Sequence, residues 1–142
     1  MTKKYEIGAF ILRVVVGLIF FIHGLEKFQN GVENLAGWFG SIGIPGFLAY
    51  VVTYGELVGG LALILGLGTR LFSLLFGIIM IGAIATVKFP AGLTGNGEMA
   101  GYEFDLTLLA MSIHLVLNGS SWLSLDSLIR KKKGSNQKEA SF

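Results

Sequence analysis

Six ionisable side chains stand where an apolar chain tolerates them least: Arg13, His23, Lys27, Glu56, Glu103 and His114. Two of them fall inside EIGAFILRVVVGLIFFIHGL, residues 6–25, a stretch that is otherwise nearly all hydrocarbon. Their types suit a particular chemistry. A guanidinium binds a phenolate or a carbonyl oxygen, and a histidine or carboxylate takes or returns a proton. Around an apolar pocket, such groups fit a ligand with a polar head and an apolar body. Quinones, catechols and hydroquinones have that form. On this reading Arg13 holds the oxygen, and Glu56 and His114 are the candidate proton carriers. His23, Lys27 and Glu103 complete the ligand-binding set.

The elements that must carry these residues follow from composition. The chain has 142 residues, of which 53% are hydrophobic and 14% charged. That charged surface is too small for a soluble domain of this length. The 21 glycines are dispersed among Leu, Ile, Val and Phe, as in membrane helices. Four runs approach the roughly 20 apolar residues that cross a bilayer, at 7–25, 47–67, 70–88 and 103–119. Backbone in lipid must satisfy its own hydrogen bonds, so these runs are expected to be helices. The fold class is therefore all-α, an integral membrane four-helix bundle. GLGTR, residues 66–70, makes a tight hairpin of the second and third spans. Leu35, Trp38, Phe39 and Ile42 recur at helical spacing, which predicts a short interfacial helix between helices 1 and 2. Residues 1–122 form one transmembrane domain, and 123–142 a polar, basic, frayed cytoplasmic tail. Lys3 and Lys4 resemble a signal-peptide start. The run after them is too long for a leader and ends at no small-residue cleavage site, so it is read as a retained span.

Orientation follows from lysine and arginine. With both termini in the cytoplasm, the inner side holds Lys3, Lys4, Arg70, Arg130, Lys131, Lys132, Lys133 and Lys138, and the outer side Lys27 and Lys88. This makes the chain a multi-pass membrane protein.

Depth can be counted at about 1.5 Å per helical residue. Arg13 then lies about 9 Å above the inner boundary, Glu56 about 16 Å and His114 about 7–8 Å. One layer holding all three is expected, with Arg13 paired to Glu56. His23, at about 24 Å, is matched by Glu103 and belongs to a second, outer layer with Lys27, Lys88 and Asp105. Three stripes are expected to face inward: Arg13, Gly17, Phe20, Gly24; Glu56, Gly59, Gly60, Leu63; and Glu103, Thr107, Ala110, His114. Structural alternatives stand beside the chemical ones. An Arg13–Glu56 pair can serve only to fix helix register. His114 can be a hydrogen-bonded core residue, and Lys27, Lys88 and Asp105 interfacial anchors.

Several chemistries are excluded or unsupported. There are no cysteines, which rules out disulfides and thiolate catalysis or ligation. The two histidines are separated in depth by about 16 Å, too far to share one haem iron. No nucleotide-binding fingerprint and no metal-ligand constellation is present, and nothing points to nucleic acid.

Four ordered stretches resemble the DoxX family of small bacterial membrane proteins, in the branch described as CatD- or MhqP-like. They are LRVVVGLIFFIHGLEKF (12–28), GIPGFLAYVVTYGELVGGLALILGLGTRL (43–71), GYEFDLTLL (101–109) and LSLDSLI (123–129). The family positions they match include Arg13, Gly17, Gly24, Lys27, Pro45, Glu56, Gly59, Gly60, Gly66, Arg70, Glu103, Ser124, Leu125 and Asp126. The resemblance implies a four-helix membrane fold and an oxidoreductase linked to membrane quinone, or to quinone and catechol stress. A second reading is a non-catalytic anchor or assembly subunit for a soluble redox enzyme, with the inner face, SLDSLIRKKK and Arg70, as its contact. Without cysteines, electrons would pass through a bound quinone, another cofactor or a partner. Exposed glycine faces would allow a homo-oligomer.

Overall fold

The computed structural model describes residues 2–140, with side chains as far as residue 134. Residues 141 and 142 of the expected tail, and the side chain of Lys138, lie outside the described set. Six α-helices follow one another: α1 (Lys3–Asn30), α2 (Val32–Ser41), α3 (Phe47–Leu65), α4 (Thr69–Ala83), α5 (Glu103–Asn118) and α6 (Leu125–Ala140). No strand occurs among the described residues, apart from one isolated bridge between Gly95 and Ala100.

Among the described residues, three helical stretches are long and apolar enough to cross a membrane: Lys3–Asn30, Phe47–Leu65 and Thr69–Ala91. The fourth expected span, α5, has 16 residues. At about 1.5 Å per residue it reaches roughly 24 Å, less than the roughly 30 Å of a bilayer's hydrocarbon core. The chain is thus all-helical with three membrane-capable helices. The predicted short helix after the first span is present as α2, with Trp38 exposed.

α1 and α3 run antiparallel at very close range, because glycine faces glycine. A Cβ on Gly17 would come within 2.7 Å of the Gly60 carbonyl oxygen, and one on Gly60 within 2.6 Å of the Phe21 nitrogen. A Cβ on Gly24 would lie 2.9 Å from the Leu57 nitrogen. Small residues that let backbones approach are the usual means of packing membrane helices, since lipid supplies no hydrophobic drive between them. Beside this pair, α4 packs on α5. One core joins Val16 and Phe20 of α1, Leu63 of α3, Phe76 and Met80 of α4, and Leu108 and Leu115 of α5. At its centre the rings of Phe20 and Phe76 stack with centroids 3.9 Å apart.

The third span is not α-helical to its end. Pro90 has no N–H, and its ring excludes the preceding turn of α-helix. The helix widens to a π turn over Ile84–Lys88, the Phe89 N–H reaches back to the Ile84 carbonyl, and Phe89–Ala91 tightens to a 3-10 turn. The Thr86 hydroxyl donates to the Gly82 carbonyl at 2.6 Å.

The segment after α5 is a built part of the fold. Ser124 is buried, and the Asp126 N–H donates to the Gly66 carbonyl at 3.1 Å. The Asp126 carboxylate in turn accepts from the Gly68 N–H at 2.7 Å. The frayed tail expected from residue 123 is instead a docked turn followed by a helix. The α3–α4 turn presents free N–H and C=O groups that a carboxylate and an amide can satisfy.

Candidate functional site

α1 presents its buried stripe as expected: Arg13, Gly17, Phe20 and Gly24 all face inward. α3 does likewise with Glu56, Gly59, Gly60 and Leu63. The partners of the two buried charges differ from those expected. Glu56, 2% exposed, is held by Lys27, whose Nζ lies 2.8 Å from Oε2 and 3.1 Å from Oε1. Gly24 makes this contact. With no side chain there, α1 settles against Glu56 and Leu57, and Lys27 one turn later reaches the carboxylate.

Arg13 does not pair with Glu56. Its Nη1 donates to the carbonyls of Ser120 and Trp122, each at 3.1 Å, and its Nη2 to that of Leu123 at 2.9 Å. The side chain is fully buried, and its guanidinium lies 5.1 Å from the centroid of the Phe10 ring. The register explains the difference. Gly17 faces Gly60 across the antiparallel pair, so Arg13, one turn earlier on α1, is level with the α3–α4 turn at Gly66 rather than with Glu56. Fourteen residues, about 21 Å of helix, separate Arg13 from Lys27. The single layer of Arg13, Glu56 and His114 therefore splits between the two ends of the molecule.

Around the Lys27–Glu56 pair lies a cluster contributed by α1, α3, α5 and the π turn. Lys88, at the end of that turn, stands 3.8 Å from the Asp105 carboxylate. His23 is within electrostatic reach of Lys27, Glu26, Asp105 and Lys88. Its ring stacks on Phe104 with centroids 5.8 Å apart, and both side chains are exposed on the outer face of the helices. The buried Thr53 hydroxyl, one turn before Glu56, has no hydrogen-bond partner among the described residues. The site thus combines a flat aromatic surface open to the outside with a buried carboxylate and a partly exposed ammonium. A ring bearing oxygens can stack on the first and meet the second.

The stripe expected to face inward on the fourth span is turned outward. Glu103, Thr107 and Ala110 are exposed and His114 is half-buried, whereas Asp105, Leu108, Ser112 and Leu115 form the buried face. In lipid both faces of a helix are apolar, so periodicity alone does not say which one is inside. Glu103 acts through its backbone, whose N–H donates to the Leu93 carbonyl at 3.0 Å and closes the glycine-rich loop. His114 is at the far end from His23. Its Nδ1 is 3.4 Å from the Asn118 amide, and it lines a cleft of about 690 Å³ with Thr2, Tyr5, Ala9 and Asn118. Of the six sequence-derived residues, the structure brings Lys27, Glu56 and His23 to one end, with Glu103 on the adjoining turn. Arg13 and His114 are at the other. Sequence reasoning read Asp105 and Lys88 only as anchors. Their joint presence in the outer layer was the available signal for the pair.

The profile of the family described as DoxX matches residues 8–89. Over 133 residues the chain is 50% identical to a Bacillus subtilis protein named "Putative oxidoreductase CatD", covering 94% of this chain and 95% of that one. A Mycobacterium tuberculosis membrane protein of uncharacterised function is 34% identical over 131 residues, covering 85% of this chain and 80% of its own. The Escherichia coli inner membrane protein YqjF is 26% identical over 132 residues, 93% of this chain and 99% of its own. No solved structure matches the chain significantly.

Proposed function

Since this chain belongs to the DoxX family of multi-pass membrane proteins, we propose that it serves oxidoreduction of quinone- or catechol-type rings in the bacterial cell membrane. The observation that carries this reading is the buried Glu56–Lys27 pair beside the outward-facing His23–Phe104 stack. The ring enters from the lipid and stacks on Phe104 and His23. Lys27 donates a hydrogen bond to one oxygen, Glu56 transfers one proton, and water reaching the partly exposed Lys27 supplies the second and reprotonates Glu56. Reduction of a quinone to a hydroquinone takes two electrons and two protons. A soluble redox enzyme docked on the membrane would supply the electrons. The oxidoreductase name of the 50% identical relative supports the reaction class.

This reading takes α5 as a fourth span, thinning the bilayer locally to match its 16 residues. It also takes both termini as cytoplasmic, on the lysine and arginine excess of that side. A second reading, an anchor for a soluble redox enzyme, is favoured by the basic face that Arg70, Arg130 and Lys131–Lys133 form at the Arg13 end.

The test is a titration of purified protein in nanodiscs with a short-chain menaquinone and a methylhydroquinone. Wild type is compared with the Lys27→Met/Glu56→Leu double variant, each checked for fold by circular dichroism. Saturable binding lost in the folded double variant supports the ring site. Equal binding by both, or none by either, leaves the anchor as the better reading.

A further inference from the structure

At the Arg13 end, a cleft of about 640 Å³ opens between the start of α4, the turn after α5 and the start of α6. Its lining includes Thr69, Arg70, Gly119, Ser120, Asp126 and Arg130. Two exposed guanidiniums thus border one concave surface. Gly119, with φ +66°, leaves room for Arg70 to lie along the chain, where a Cβ would stand 3.0 Å from its Nε. The first turn of α4 adds backbone N–H groups that have no partner within the helix.

Two further observations point to a ligand. Thr69, the first residue of α4, lines the cleft and is 6% exposed, yet its hydroxyl has no hydrogen-bond partner among the described residues. The one carboxylate present, Asp126, is already engaged by the Gly68 N–H and lies within electrostatic reach of buried Arg13. The positive charge of Arg70 and Arg130 is therefore left over for something else. Planar guanidinium forks, an unpartnered hydroxyl and helix N–H groups together match a tetrahedral oxyanion.

We propose that this cleft binds a phosphate-bearing anion. The shared chemistry is a phosphate group, and the sources are the headgroup of an anionic phospholipid or a soluble phosphate. The site is independent of the ring site, which lies about 21 Å away along α1.

The experiment uses the full chain in two arms. In the first, native mass spectrometry counts phosphatidylglycerol retained after release from phosphatidylcholine nanodiscs with and without that lipid. In the second, thermal unfolding in detergent is followed in sodium phosphate and in sodium chloride of equal ionic strength. Wild type is compared with Arg70→Gln/Arg130→Gln, with Thr69→Val, and with Lys131→Gln/Lys132→Gln/Lys133→Gln. Losing charge-assisted hydrogen bonds should weaken binding by about tenfold or more in the arginine variant. Thr69→Val should weaken it severalfold, and the lysine variant should stay close to wild type. An effect in the first arm alone assigns the lipid, and a phosphate-specific stabilisation in the second assigns a soluble phosphate. Wild-type behaviour of the arginine variant in both arms overturns the proposal. So does a lysine variant that loses as much, because the attraction is then diffuse. If the arginine variant fails to fold, unchanged binding by Thr69→Val overturns it instead.

Discussion

Two positive charges on α1, fully buried Arg13 and half-buried Lys27, are satisfied in opposite ways. Arg13 is neutralised by no side chain in direct contact. It gathers the carbonyls of Ser120, Trp122 and Leu123 and so ties the chain after α5 to the first helix. Lys27 meets a carboxylate, and the pair stays partly open, with 28% of the lysine side chain exposed and 3% of the glutamate's. A guanidinium donating to backbone carbonyls has no proton to trade and one geometry to keep. An ammonium–carboxylate pair can lose or gain a proton and can be re-paired by an incoming oxygen. The arginine end is architecture, and the lysine end is where chemistry is possible.

This contrast can be broken by substitution. Arg13→Leu should have the largest effect, on the order of 3–5 kcal/mol of stability, because it leaves three carbonyls without their donor. Arg13→Lys should recover little, since one ammonium cannot span the same fork. Thermal unfolding in detergent measures both, and a near-neutral Arg13→Leu would refute the clamp. Lys27→Met should cost about 2–3 kcal/mol by stranding the Glu56 carboxylate, and adding Glu56→Leu should restore most of it. A double variant no more stable than Lys27→Met would mean that the two residues do not act as a pair.

Two smaller effects sharpen the picture. Gly60→Ala should cost roughly 1–3 kcal/mol, because its Cβ would meet α1 backbone at 2.6 Å. If the unfolding midpoint is unchanged, α1 and α3 are not in this register. Asp126→Asn keeps an acceptor for the Gly68 N–H but removes a charge at the start of α4, worth about 0.3–1 kcal/mol. That shift should shrink in high salt. A salt-independent loss would point to packing of Ser124 and Asp126 rather than to charge.

Much of the fold was legible before any coordinates. Hydropathy located the apolar runs, GLGTR marked the hairpin, and spacing predicted α2. The inward stripes of α1 and α3 were readable because each joins a charge to glycines at helical intervals, a combination that only an interior explains. The α5 stripe was misread because nothing comparable marks it. Its two ionisable residues do not need an interior, because Glu103 opens this 16-residue helix and His114 lies one turn from its end. The site was half legible: Lys27, Glu56 and His23 were in the candidate set, but in two different layers.

By itself the sequence determined that this chain is helical, apolar enough for a membrane, and obliged to hold several charges within it. Those properties follow from composition and period, which are local. Tertiary structure decided which charges meet. Partner choice depends on helix register and on side chains that reach about one turn, and the packing of Gly17 on Gly60 and of Gly24 on Leu57 sets Arg13 at the α3–α4 turn and Lys27 beside Glu56. Only the folded chain could give Arg13 to the carbonyls of residues 120–123 and Glu56 to Lys27.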